Sequence, residues 1–207
     1  MDRSMRNIVA SRIVAGALAF SCSAAMAQST VGSDATASVT MGMVTQFLNG
    51  VNSENLILAA SVRDSRISGR SNLTARVDEL VQRSNGNNNR NLVNVSSVLE
   101  SVVNGNLDSV VTVSSIVQKS TGANNLNELN VGFFSGSRFG GDVEASFTIS
   151  SIFQENVGNN GSNIANIGSV IDSEIGGTTN LSGSIGSFQQ INLGQQNTNS
   201  ASIGSID

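Results

Sequence analysis

The chain has 207 residues, with 11 Lys and Arg against 15 Asp and Glu, and it contains no His, Pro, Trp or Tyr. A net charge of −4, without a basic patch interleaved with aromatic residues, argues against nucleic-acid binding. Since the one cysteine, Cys22, falls in the N-terminal segment described next, the rest of the chain has no thiol nucleophile, histidine base or His/Cys metal site. We therefore predict that the protein is not an enzyme and has no cofactor, metal or small-molecule substrate.

The first 27 residues have the features of a secretory signal peptide. Arg3, Arg6 and Arg12 precede an apolar run at 13–20, and small residues at 25–27 form a cleavage site after Ala27. The apolar run is shorter than the roughly 20 residues that a membrane span needs. We predict export to the cell surface or beyond, without disulfides in the mature chain. Residues 28–38 form a short N-terminal segment before the repeats.

An 18-residue repeat occupies residues 39–207 without insertions, in about nine units. One apolar position of each unit is filled by a series that includes Val95, Val113, Val131, Ile149, Ile167, Ile185 and Ile203. Apolar residues also alternate with period two, as at Val93 and Val95, which predicts strands. Pairs of Gly or Ser, such as Ser96 and Ser97, predict tight corners, and Gly/Asn-rich segments such as 86–88 predict turns. A chain of such units is predicted to be an all-β solenoid.

A second order of repetition has a period of 36 residues. At one position of the 18-residue repeat, glutamine occurs only in alternate units, at Gln46, Gln82, Gln118, Gln154 and Gln190. Nine residues after each glutamine comes an asparagine, at Asn55, Asn91, Asn127, Asn163 and Asn199. Either unlike 18-residue rungs alternate, or one rung uses all 36 residues and stacks the amides as ladders. Two five-residue strands and two turns account for 18 residues, so we favour 18 per rung, which gives nine rungs and a rod of roughly 43 Å.

Two other solenoid classes share the 18-residue period but differ in pattern. Calcium-binding nonapeptide rolls need a Gly/Asp motif in every half turn, and only residues 140–142 approach it. Left-handed hexapeptide helices need an aliphatic residue every six positions, where this chain has Gly86, Gly122 and Gly158. Asp142 and Glu144 are close enough in sequence to pair, but solvated surface charge is the favoured reading.

The positions of Ile152 and Gln154, a glycine turn, and then Asn163, Ala165 and Ile167 resemble the repeat of curlins, the secreted subunits of bacterial curli. The same pattern recurs around Gln82 and Gln118. The resemblance implies strand–turn–strand units with inward Gln, Asn and aliphatic residues that polymerise into extracellular amyloid fibres. It also implies secretion and nucleation partners in the outer membrane. Fap-type biofilm amyloids carry similar Asn/Gln/Gly-rich repeats and are the second family that the chain resembles.

The repeat continues in phase through Ile203 and Ile206, which leads us to expect an uncapped edge. We predict that copies add end to end to form a fibre, or fimbrium, that supports adhesion and biofilm formation. Two alternatives remain at this point. One is a monomeric surface solenoid that binds carbohydrate, ice or a host partner, and the other is a minor subunit that nucleates a fibre.

Overall fold

The computed structural model describes residues 29–207, so the predicted signal peptide lies outside the described residues. Between these bounds the chain forms nineteen β-strands, and no helix there is long and apolar enough to cross a membrane. Each strand pairs in parallel with the strand one full turn of the chain earlier, with the strand one turn later, or with both. Parallel pairing throughout produces a coil of stacked rungs, which confirms the predicted β-solenoid.

Four sheets form the walls of the coil. The long-strand sheet contains β2 (Ala35–Asn49), β6 (Ser71–Asn85), β10 (Leu107–Thr121), β14 (Val143–Val157) and β18 (Thr179–Leu193). The facing sheet contains β3 (Glu54–Ala59), β7 (Arg90–Val95), β11 (Leu126–Val131), β15 (Ser162–Ile167) and β19 (Thr198–Ile203). The corner sheet contains β4 (Val62–Arg63), β8 (Val98–Leu99), β12 (Phe134–Ser135) and β16 (Val170–Ile171). The return sheet contains β1 (Ser29–Val31), β5 (Ser65–Ile67), β9 (Val102–Val103), β13 (Arg138–Phe139) and β17 (Glu174–Ile175).

One rung uses 36 residues, and the prediction of 18 residues per rung is wrong. Gln118 pairs with Gln82 on one side and with Gln154 on the other, each 36 positions away. The rungs therefore begin at residues 35, 71, 107, 143 and 179. Five rungs at the spacing of β-strands give a stack of roughly 24 Å in place of the expected nine rungs and 43 Å.

The 18-residue pattern has a different structural origin. Val113 on β10 and Val131 on β11 are both fully buried in one core, which lies between the long-strand sheet and the facing sheet. Residues 18 apart thus lie on opposite walls of one rung, and residues 36 apart stack directly. Each half of the rung contributes similar apolar positions to the shared core, so the sequence shows a period of half a rung.

Of the predicted Gly/Ser corners, those after the facing strand form, and those within the long strand do not. At Ser96 and Gly168 the backbone adopts positive φ and turns from the facing sheet into the corner sheet. At Ser114 and Ser150 the long strand continues, but one residue is left out of the pairing and the inward face changes by one position. The Gly-rich turns join the long strand to the facing strand. At Gly122, φ is 118°, and a Cβ would lie 2.3 Å from the carbonyl oxygen of Gly86 in the adjacent rung, so glycine is required there.

The stack begins before residue 39. Ala35–Ser38 pair with Ser71–Thr74, and β1 pairs with β5. A second, smaller core lies where the start of the long strand meets the corner and return sheets, with Phe134 and Phe139 fully buried and their ring centroids 5.8 Å apart. Residues 29–31 and 35–38, which precede the predicted boundary at 39, therefore belong to strands of the solenoid.

Candidate polymerisation surfaces

A column of glutamines runs through all five rungs. Gln82, Gln118 and Gln154 are fully buried, and the terminal members Gln46 and Gln190 are half-buried. Each Nε2 donates to the Oε1 of the preceding rung, at 2.8 Å for Gln82, 3.0 Å for Gln118, 2.7 Å for Gln154 and 2.8 Å for Gln190. The second hydrogen of each amide goes to a backbone carbonyl of the facing strand, as from Gln118 to the Glu128 oxygen at 2.9 Å. A buried amide can be tolerated here because both of its donors are used.

A column of asparagines faces the glutamines across the rung. Asn55, Asn91, Asn127 and Asn163 are buried, and Asn199 in the last rung is exposed. Each Nδ2 donates to the Oδ1 of the following rung, at 2.8 Å from Asn55 and Asn91, 2.9 Å from Asn127 and 3.0 Å from Asn163. Like amides therefore stack as ladders, which agrees with the alternative of 36 residues per rung and not with the favoured 18. Such ladders are typical of cross-β assemblies.

The two ladders point in opposite directions along the stack. Glutamine Nε2 atoms donate toward the N-terminal rung, and asparagine Nδ2 atoms donate toward the C-terminal rung. In the last rung, the Oε1 of Gln190 therefore occupies the position at which every inner glutamine accepts a hydrogen bond from the next rung. The Nδ2 of Asn199 occupies the position at which every inner asparagine donates a hydrogen bond to the next rung.

The aliphatic residues of the repeated apolar position form two columns that face each other. Val95, Val131, Ile167 and Ile203 align on the facing sheet, and Val113, Ile149 and Ile185 align on the long-strand sheet. The inner members are at most 1 % exposed, whereas Ile203 in the last rung is 46 % exposed. The column is thus less buried in the last rung than in the inner rungs.

Two edges terminate the described stack. The N-terminal edge is formed by β1, β2, β3 and β4, and the C-terminal edge by β16, β17, β18 and β19. Among residues 29–207 these strands have a paired neighbour on one side only, apart from a single bridge between Val170 and Ile206. An unpaired strand edge presents backbone donors and acceptors to a further chain.

Other polar columns were not anticipated from the sequence. Asn94, Asn130 and Asn166 form a second asparagine ladder with Nδ2 to Oδ1 distances of 2.8 Å. In the turn before the long strand, the side-chain oxygen of an Asn or Asp accepts a hydrogen bond from a backbone N–H of the next rung. The N–H of Asp142 donates to Asn106 Oδ1 at 3.2 Å, and the N–H of Thr178 donates to Asp142 Oδ1 at 2.7 Å. The 36-residue spacing of these Asx residues was the signal that could have revealed them.

Asp142 and Glu144, the two carboxylates that are close in sequence, lie in separate environments. Asp142 lies in a turn, and its Oδ1 accepts from both the backbone and the hydroxyl of Thr178. These hydrogen bonds, the backbone one first, lower the pKa of Asp142 below its usual value of 3.8. Glu144 lies on the outer face of β14, in register with Asp108 of the adjacent rung. Asp142 therefore stabilises a turn and is not joined with Glu144 in a common site.

Comparison of the chain with protein-family models, with curated proteins and with solved structures gives no match in any of the three. The functional argument therefore depends on the geometry of the ladders and edges described above.

Proposed function

We propose that this protein is a secreted structural subunit that polymerises end to end into extracellular, curli-like amyloid fibres for adhesion and biofilm formation. The observation that carries the proposal is the distribution of charge over the long strands. The inner strands β6, β10 and β14 each contain charged residues, among them Arg76, Asp108 and Glu144. The edge strands β2 and β18 contain none over 15 residues each.

Edge strands of soluble proteins are usually protected by charge, proline, bulges or a covering segment. In the long-strand sheet the protection is reversed, since charges lie on the long strands that are already paired on both sides and are absent from the two long strands with an open side. The two edge strands also contain no proline. Long, uncharged, proline-free edges favour addition of a further strand, and the parallel stack supplies a ready template of the same chain.

The amide ladders support the same function. Each inner amide gains hydrogen bonds from rungs on both sides, and the terminal amides of Gln46, Gln190, Asn55 and Asn199 gain them from one side only. Addition of another copy would complete the hydrogen bonding of all four. Export rests on the N-terminal segment at 1–27, and the curlin resemblance supports an outer-membrane route with dedicated secretion and nucleation partners.

A proline at the C-terminal edge tests the proposal without disturbing the fold. In β19 the backbone N–H groups of Thr198 and, just beyond the strand, Gly204 donate to the preceding rung. By the alternation of parallel pairing, the N–H of Ala201 faces the open edge. Ala201→Pro removes that donor and places the ring where the next strand would pair, so fibre elongation should be lost while the β-sheet circular dichroism of the monomer is retained.

The matched control is Ala201→Val, which keeps the N–H and places in the column the residue that β7 carries at Val93. The secreted wild-type protein and the valine variant should bind thioflavin, form fibres under electron microscopy and give a cross-β reflection at about 4.8 Å. A wild-type protein that stays monomeric would contradict the proposal. It would favour a surface solenoid that binds through outward columns such as Thr112, Thr148 and Ser184.

The same preparation separates the major-subunit role from that of a minor nucleator. A major subunit forms fibres alone and accounts for most of their mass. A nucleator accelerates fibre formation by another subunit at substoichiometric amounts. Thioflavin kinetics of the purified protein, with and without the other subunits recovered from the same fibres, distinguish the two.

A further inference from the structure

We propose that successive copies join head to tail in the register of the inner rungs, so that β2 and β3 of one copy pair with β18 and β19 of the copy before it. This inference rests on the proposed polymerisation and specifies its junction. Gln46 of the incoming copy lies on Gln190, Asn55 on Asn199 and Phe47 on Ile191. The solenoid then continues across the boundary with the same 36-residue spacing that relates its own rungs.

The direction of the amide ladders determines the orientation of the junction. At the C-terminal edge, Gln190 offers the acceptor Oε1 and Asn199 offers the donor Nδ2. At the N-terminal edge, Gln46 offers the donor Nε2 and Asn55 offers the acceptor Oδ1. The two edges are therefore complementary in both columns. Two like edges that met with glutamine on glutamine and asparagine on asparagine would place acceptor against acceptor and donor against donor, so neither ladder could continue across them.

An outward column on the long-strand sheet supports the same register. Its members in order are Phe47, Arg83, Lys119, Glu155 and Ile191. The three inner members are charged, and Lys119 pairs with Glu155 at 3.1 Å. The two terminal members are apolar, and Phe47 is 55 % exposed. In the proposed junction Phe47 packs against Ile191, which removes these two apolar side chains from water.

The edges are also complementary in shape. At the N-terminal edge the return sheet extends one strand beyond the first rung, because β1 precedes β2 and pairs with β5. At the C-terminal edge the described return sheet ends with β17 in the fourth rung, whereas β18 and β19 belong to the fifth. Thus β1 of the incoming copy lies next to β17 when its β2 pairs with β18.

In the same register, Arg63 of the incoming copy follows Asp207 in their column, so opposite charges meet at the boundary.

Disulfide trapping tests the register. The background is the secreted chain with Cys22→Ser, and the test variant combines Phe47→Cys with Ile191→Cys. Within one copy these positions lie four rungs, or roughly 19 Å, apart and cannot form a disulfide. Across the proposed junction they lie directly opposite each other at about 4.8 Å, within disulfide range. Fibres of this variant, mildly oxidised, should lose their monomer band on non-reducing gels and yield long covalent multimers that reductant reverses.

Two controls distinguish the register and the orientation. Phe47→Cys with Leu193→Cys keeps both cysteines outward but sets them diagonally at about 7–8 Å, so monomer should predominate. Phe47→Cys alone and Ile191→Cys alone should also stay monomeric, because equal edges do not meet. Fibres in which the diagonal pair or a single-cysteine variant cross-links best would overturn the proposed junction while leaving polymerisation intact. Absence of fibres in every variant and in the wild type would overturn both proposals.

Discussion

Gln118 occupies the centre of the glutamine ladder, and all of its amide hydrogens are directed at oxygen atoms. Its Nε2 lies 3.0 Å from Gln82 Oε1 and 2.9 Å from the Glu128 carbonyl, and its Oε1 accepts from Gln154 at 2.7 Å. Gln118→Glu keeps the size of the side chain but replaces the donor with a carboxylate among acceptors. Because the site is fully buried, we expect the free energy of unfolding at pH 7 to fall by about 3 kcal/mol or more.

Urea unfolding followed by circular dichroism measures the loss at Gln118. The control is Thr121→Glu, which places the same charge on the exposed face of the same strand and should change the stability by less than about 0.5 kcal/mol. Similar effects of the two substitutions would show that Gln118 is not held in a buried ladder.

Asp142 links stability to pH at one turn. Its lowered pKa means that the folded state holds the carboxylate more tightly than the unfolded state does. The contribution to stability is therefore fully present above the unfolded pKa near 3.8 and is lost as the pH falls through the folded value. We expect the melting temperature of the wild type to decline more steeply below pH 4 than that of Asp142→Asn.

Asparagine is a suitable replacement at this position because Asn106 already performs the same role one rung earlier, with its Oδ1 accepting from Asp142. The variant keeps a neutral acceptor for Thr178 and removes only the titration. Thermal unfolding between pH 5 and pH 2 provides the comparison. Parallel curves for the two proteins throughout this range would show that the Thr178 hydrogen bonds do not perturb Asp142.

At the scale of the strand, rungs fit by size as well as by hydrogen bonding. Phe147 of β14 fills the space left by Gly183 of β18, where a Cβ would lie 2.4 Å from Phe147 Cδ2. It would also lie 2.5 Å from the Phe147 carbonyl oxygen. Gly183→Ala should therefore destabilise the protein by roughly 1–3 kcal/mol, whereas Gly42→Ala, with no atom within 4 Å, should have little effect.

The same contact predicts coupling between the two strands. Phe147→Val removes the ring atoms that the new methyl group would meet, although the clash with the carbonyl oxygen remains. The double variant Phe147→Val with Gly183→Ala should lose less stability than the sum of the single variants, by roughly 1 kcal/mol or more. Four urea titrations complete this cycle, and strict additivity would argue against packing of Phe147 onto Gly183.

The strand pattern, the inward faces and the Gly/Asn turns could all be predicted from the sequence, because each depends on local spacing. The length of a rung could not be predicted from the apolar residues. Val113 and Val131 occupy the same position of the 18-residue repeat, but they face each other across one core within a single rung. The amides were the better guide. Gln82 and Gln118 stack only on their own kind, because a ladder needs the same donor and acceptor at each level. The Asx columns in the turns depended on that longer period and were missed for the same reason.

On the scale of the whole molecule, polar and apolar features are arranged along the stack axis and not only around it. Charged side chains occupy the inner long strands, and the edge strands β2 and β18 are neutral. The opposed amide ladders give the two edges unlike hydrogen-bonding groups. These features depend on the order in which the rungs are stacked, because the individual rungs share one backbone fold. A stack of this kind can therefore be shortened by one complete rung without changing the character of either edge.

Deletion of residues 107–142 removes the third rung as a unit and tests the rung length. It joins Asn106 to Val143 and places Gln154 on Gln82 and Asn163 on Asn91, so we expect a folded, cooperatively unfolding solenoid of four rungs. Deletion of only 107–124 preserves the 18-residue apolar spacing but brings Gln154 to the level of Glu100, which interrupts both ladders. This variant should lose cooperative urea unfolding and become protease-sensitive. Equal stability of the two deletions would mean that 18 residues suffice for a rung, contrary to the observed pairing.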